Sequence, residues 1–74
     1  MQVTVRAQGH LKQYCQTPVT LDLPDGATVR MMIEASGIPW DEVGLVAVNG
    51  RQAPDEAVLH DGDQVMLLAP MEGG

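Results

Sequence analysis

The side chains able to do chemistry in this 74-residue chain are few and scattered. Cys15 is the sole cysteine, and no histidine–acid arrangement accompanies it as a nucleophile would require. His10 and His60 lie far apart, and two imidazoles alone do not make a metal site. Asp61-Gly62-Asp63 lacks the remaining ligands of a calcium loop, so its acids are expected to shape a turn. Asp41-Glu42 and Asp55-Glu56 read as solvated loop charges that would steer a basic partner. No paired carboxylates and no phosphate-cradling glycine loop appear, so the expectation is a protein that is not an enzyme on its own, with no metal and no tightly bound cofactor.

What remains is the last stretch, Ala69-Pro70-Met71-Glu72-Gly73-Gly74. Two glycines cannot pack or continue a sheet, and they lose more entropy on ordering than any other residues. After a well-formed strand they read as a tail whose reactive group is the α-carboxylate of Gly74, ionised at neutral pH. Without Cβ atoms, Gly73 and Gly74 let another protein's backbone close in from every side. Residues 70–74, extended at about 3.4 Å each, reach roughly 17 Å, enough to enter a recessed site. Pro70 would stiffen the root.

Such a tail needs a body to present it. The length suits one domain, expected over residues 1–69 with the tail at 70–74. The 45% apolar and 19% charged content is that of a globular chain. Trp40 and Tyr14 are the aromatics and phenylalanine is absent, so aliphatic and methionine side chains must fill the core. One cysteine allows no internal disulfide and no cysteine-ligated metal cluster. No run approaches the length of a membrane span, and the alternating start shows no secretory signal, so a cytoplasmic location is expected. The net charge of −6 disfavours nucleic acid, whose binding depends on neutralising phosphates.

Val3, Val5 and Ala7 alternate with polar residues as a half-buried strand, and Val19, Leu21 and Leu23 repeat the pattern. Between them lies a polar connection, Gly9 to Pro18, with room for a helical turn, and Pro24-Asp25-Gly26 stops the second strand. Thr28 is placed to cap a helix whose Val29, Met32 and Ile33 fall at i, i+3 and i+4. Gly37 suits the left-handed residue after its end, and Pro39 prevents continuation. Pro39 to Val43 reads as a single turn before a third strand, Leu45 to Val48, and Asn49-Gly50 signals a tight hairpin. Val58 and Leu59 precede another turn, and Gln64 to Ala69 is the last strand. The order strand, strand, helix, strand, short strand, strand fits an α+β β-grasp fold: a mixed sheet of four to five strands covered by one main helix.

The stretch from "LPDGATVRMMIEASGIPWDEVGLVAVNGRQAP" to "LHDGDQVMLLAPMEGG" resembles the ThiS/MoaD sulfur carriers, prokaryotic relatives of ubiquitin. The "VNG", "DGDxV" and closing "GG" features together carry the likeness, which runs from about Leu21 to Gly74. Two departures stand out. Phenylalanine is missing where many members have one near the first strand, which bears on packing, and the acidic Glu72 stands where a small or apolar residue is common.

The resemblance implies a chemistry for Gly74. Attack of its carboxylate on the α-phosphate of ATP makes an acyl-adenylate, and sulfide or a persulfide displaces AMP to leave a thiocarboxylate. A ubiquitin-activating-type adenylyltransferase would bind the ATP and Mg²⁺ and read the tail at Pro70, Met71, Glu72 and Gly73. A sulfur donor and a biosynthetic acceptor enzyme complete the expected partners, with thiamine thiazole or molybdopterin as the products the family implies. Sulfur for an amino acid or for tRNA thiolation stays open, as does the small subunit of a molybdopterin synthase. A modifier joined to lysines and a plain β-grasp interaction module are the readings from other classes.

The final strand also offers a surface. Val65 and Leu67 should face the helix, leaving Met66 and Leu68 outward beside Ala47 if the third and last strands pair. Clustered apolar side chains on an open sheet face read as a docking patch, as the resemblance also implies.

Overall fold

The computed structural model describes residues 1–14 and 17–70. Five strands form one mixed sheet: β1 (Gln2–Ala7), β2 (Val19–Asp22), β3 (Leu45–Val48), β4 (Arg51–Gln52) and β5 (Gln64–Leu68). Their order across the sheet is β2-β1-β5-β3-β4. β1 pairs antiparallel with β2 and parallel with β5, and β3 pairs antiparallel with both β5 and β4. The first and last strands therefore meet at the centre, the β-grasp arrangement expected from the element order.

One helix, α1 (Val29–Ser36), covers one face of this sheet. The Thr28 hydroxyl accepts from the Met31 amide at 3.3 Å, taking up one of the donors that a helix start leaves unpaired. Gly37 closes the helix at φ 82°, a left-handed conformation that a residue with a Cβ resists. Val29, Met32 and Ile33 are fully buried, as their spacing requires, against Val3, Val5, Val65 and Leu67. Each such side chain contributes about 1.5–3 kcal/mol by leaving water.

The connections carry more of the core than their composition indicates. The polar segment after β1 forms a 3₁₀ turn at Gly9–Gln13 whose Leu11 is completely buried. Ile38, just past the helix, and Leu59 are buried too. Asn49-Gly50 turns β3 directly into the two-residue β4. Val58 makes only an isolated bridge to Thr28, and the Leu59 amide donates to the Ala27 carbonyl at 2.8 Å.

Asp63 joins two turns. Its Oδ2 accepts from the His60 amide at 2.8 Å and its Oδ1 from Asn49 Nδ2 at 2.9 Å. Asn49 Oδ1 in turn accepts from the Gln64 amide at 2.9 Å. The Asp61 carboxylate accepts from the Gln2 amide at 2.7 Å. Asp63 thus shapes the turn as expected, whereas Asp61 ties that turn to the start of β1.

Candidate docking face and tail root

Side chains along β5 alternate between the two faces. Val65 and Leu67 are buried, whereas Gln64 and Met66 are exposed and Leu68 is half-buried. Register places Ala47 opposite Met66 and Leu45 opposite Leu68. On the other side of β5, Arg6 is the register partner of Met66. The sheet face turned away from α1 therefore gathers Ala47, Met66 and Leu68, the three residues the sequence placed there. It adds Leu45 and Arg6, which the sequence reading did not assign to it.

Met66 is 38% exposed, while Ala47 and Leu68 are half-buried. A recess of about 340 Å³ opens on this face, lined by Arg6, Ala47, Gly50, Gln64, Val65 and Met66. Arg6 is exposed and makes no ion pair among the described residues. Its guanidinium stands at the rim of an apolar floor, with no carboxylate among the described residues paired to it.

The end of β5 is held from both sides. The Gln8 amide donates to the Leu67 carbonyl at 3.0 Å, and the Gly44 amide donates to the Leu68 carbonyl at 2.8 Å. Pro70 has no N–H, so the ladder cannot continue through it. The β5 ladder therefore ends before Pro70, between the connection after β1 and the one before β3. Across that end, His10 Nε2 lies 3.0 Å from Glu42 Oε2. Glu42 is therefore not merely a solvated loop charge: the 3₁₀ turn at Trp40–Glu42 brings it to an imidazole distant in sequence. Arg30 stacks over Trp40 at 5.2 Å on the helix side.

Met71, Glu72, Gly73 and Gly74, and likewise Cys15, lie outside the described residues. Among the described residues no group of histidine and acid side chains is arranged to hold a metal ion. None of their helices is long and apolar enough to cross a membrane.

The Mut7-C ubiquitin family model matches residues 2–72. The chain belongs to the Mut7-C ubiquitin family. This Mut7-C ubiquitin chain is similar to Protein RnfH of Paraburkholderia xenovorans, 37% identical over 76% of this chain and 56% of that protein. Protein RnfH of Paraburkholderia phymatum is 39% identical with the same coverage. The chain thus spans about half the length of the curated relatives it matches.

Solved structures extend the comparison. A putative molybdopterin converting factor subunit 1 from Pyrococcus furiosus superposes with a TM-score of 0.77 at 27% identity, over 96% of this chain and 99% of that one. A subunit from the complex of molybdopterin-converting factor subunits 1 and 2 of Helicobacter pylori gives 0.67 at 28% identity, over all of both chains. Small archaeal modifier protein 1 of Haloferax volcanii gives 0.76 at 20% identity, over 95% and 98% of the two chains, a likeness of fold. The curated relatives are named RnfH rather than ThiS or MoaD. The ThiS/MoaD resemblance thus stands at the level of a ubiquitin-like fold and of the converting-factor structures.

Proposed function

We propose that this Mut7-C ubiquitin domain is a sulfur carrier that is the substrate of an adenylyltransferase and not a catalyst itself. The observation that carries the reading is the juxtaposition at β5: an open apolar face and the tail root on the same strand. A partner that docks on Ala47, Met66 and Leu68 meets the tail at Pro70, with Gly73-Gly74 further along the same chain. The reading requires the α-carboxylate of Gly74 to be free.

The chemistry then runs on groups supplied by the partner. The Gly74 carboxylate attacks the α-phosphate of ATP, with pyrophosphate leaving, and Mg²⁺ bound by the partner offsets the phosphate charge. Sulfide attacks the acyl carbon and expels AMP, giving the thiocarboxylate directly. A persulfide on the partner would instead give an acyl disulfide, whose S–S bond a second partner thiol must cleave, releasing the thiocarboxylate and leaving a disulfide on the partner. What this chain contributes is position. A docked face and a stiff root convert the encounter of carboxylate and nucleotide into an effectively unimolecular event. Arg6 at the rim of the face suits a carboxylate on the docked partner.

Intact-mass analysis tests the reading directly. The protein is incubated with its adenylyltransferase, ATP, Mg²⁺ and a sulfur source, and a gain of one oxygen-to-sulfur exchange at Gly74 is expected. An unchanged mass would remove the proposal. Conjugation to lysines would instead give ladders of higher mass in a lysate, the mark of a protein modifier. A plain interaction module would keep its function without Gly73 and Gly74. A second reading, the small subunit of a two-subunit synthase, is favoured by the likeness to a subunit of the Helicobacter pylori converting-factor complex. A stable complex with a larger subunit that accepts sulfur from Gly74 would be its mark.

A further inference from the structure

We propose that Gly44 is a positioning residue that seats the root of the tail, an inference that rests on the proposed activation of Gly74. Gly44 is glycine for want of space and not for backbone freedom. The glycines at 9, 26, 37, 50 and 62 have positive φ with nothing near the position a Cβ would take. Gly44 is the reverse: its φ lies outside the positive range, and a Cβ there would run into Pro70 Cα, Pro70 N and, at 2.9 Å, the Ala69 carbonyl carbon.

All three atoms are backbone, so no rotamer change relieves the contact. The same residue donates its amide to the Leu68 carbonyl at 2.8 Å. Gly44 therefore fixes the chain twice over, holding the last ladder bond and letting Ala69-Pro70 lie directly against the strand beside it. A side chain at 44 must lift Pro70 from the sheet or break the Gly44–Leu68 bond. Either change re-aims the tail relative to the docking face, although neither residue touches the reacting atoms. A displacement near 1 Å can lower a rate by about a hundredfold when the reacting group is delivered from a distance.

The test compares wild type, Gly44→Ala and Gly37→Ala. Gly37→Ala is the control for lost stability, because it strains the helix end at φ 82° without approaching the tail. With the adenylyltransferase of the same organism, Gly44→Ala is expected to lower kcat for thiocarboxylate formation at least about tenfold, with the Kd for that enzyme unchanged. Gly37→Ala should keep the wild-type kcat. Nuclear Overhauser contacts between Gly44 and Pro70 in the free protein should be present in wild type and lost in Gly44→Ala. Wild-type turnover by Gly44→Ala, or an equal loss in Gly37→Ala, would overturn the inference. If wild type itself gains no sulfur, the sulfur-carrier reading falls and the Gly44–Pro70 contact decides the seat alone; its absence from wild type would overturn the seat. If Gly44→Ala does not fold, Pro70→Gly carries the kinetic test, since it keeps the Gly44–Leu68 bond and frees φ at the root. A wild-type kcat in Pro70→Gly would then overturn the inference.

Discussion

Ala47 and Met66 stand opposite one another across the β3–β5 pair, on the sheet face turned away from the helix. One position along, Leu67 points into the core and is fully buried. Neighbouring residues on one strand thus answer to different solvents, and substitutions separate them.

Met66→Glu should leave the monomer folded and within about 0.5 kcal/mol of wild type, since its carboxylate stays in water. In a docked complex the same carboxylate would be buried without a partner, at a cost of about 2 kcal/mol or more in affinity. Leu67→Glu should unfold a domain this small. Urea titration and partner affinity, measured on both variants, check the pair. Folded Leu67→Glu beside unfolded Met66→Glu would contradict the register.

Removing Gly74, or adding one residue after it, moves the reacting carboxylate by about 3.4 Å. Thiocarboxylate formation should be lost while the urea midpoint stays at the wild-type value. A large drop in the midpoint would show that the tail is structural.

Asp63→Ala leaves the His60 amide and Asn49 Nδ2 without their acceptor in a half-buried setting. A loss of about 1–3 kcal/mol is expected from urea unfolding. Asp61→Ala, whose carboxylate accepts one exposed amide, should cost less.

Thr28→Ala removes the acceptor for the Met31 amide and should cost about 1 kcal/mol. Thr28→Ser, which keeps the hydroxyl, should restore most of it. A Thr28→Ala variant as stable as wild type would show that the cap contributes nothing.

The strands and the helix were legible because their signals are local. Val3-Val5-Ala7 and Val65-Leu67 carry the two-residue period of a half-buried strand, and Thr28, Val29, Met32, Ile33 and Gly37 spell out one capped helix. The outward set at Ala47, Met66 and Leu68 followed from the same period. Leu11 was hidden among polar neighbours, because its burial comes from the sheet it folds under and not from its own segment. Gly44 gave no signal, since its crowding depends on the register that brings Pro70 beside it. The His10–Glu42 contact was equally silent: two loops distant in sequence meet only because β5 lies between the strands they flank.

That central placing of β5 bears on how the domain comes into being on the ribosome. Until residues 64–68 emerge, β1 and β3 lack the strand that lies between them, and the β1–β2 and β3–β4 hairpins stay unjoined. The proposed docking face and the proposed seat of the tail both depend on β5, so neither is complete before it is in place. A nascent chain arrested before Gln64 should be digested readily by protease, and one extended past Gly74 by a linker long enough to clear the exit tunnel should resist it. Under the proposed role, a partner could therefore dock only after β5 has joined the two hairpins.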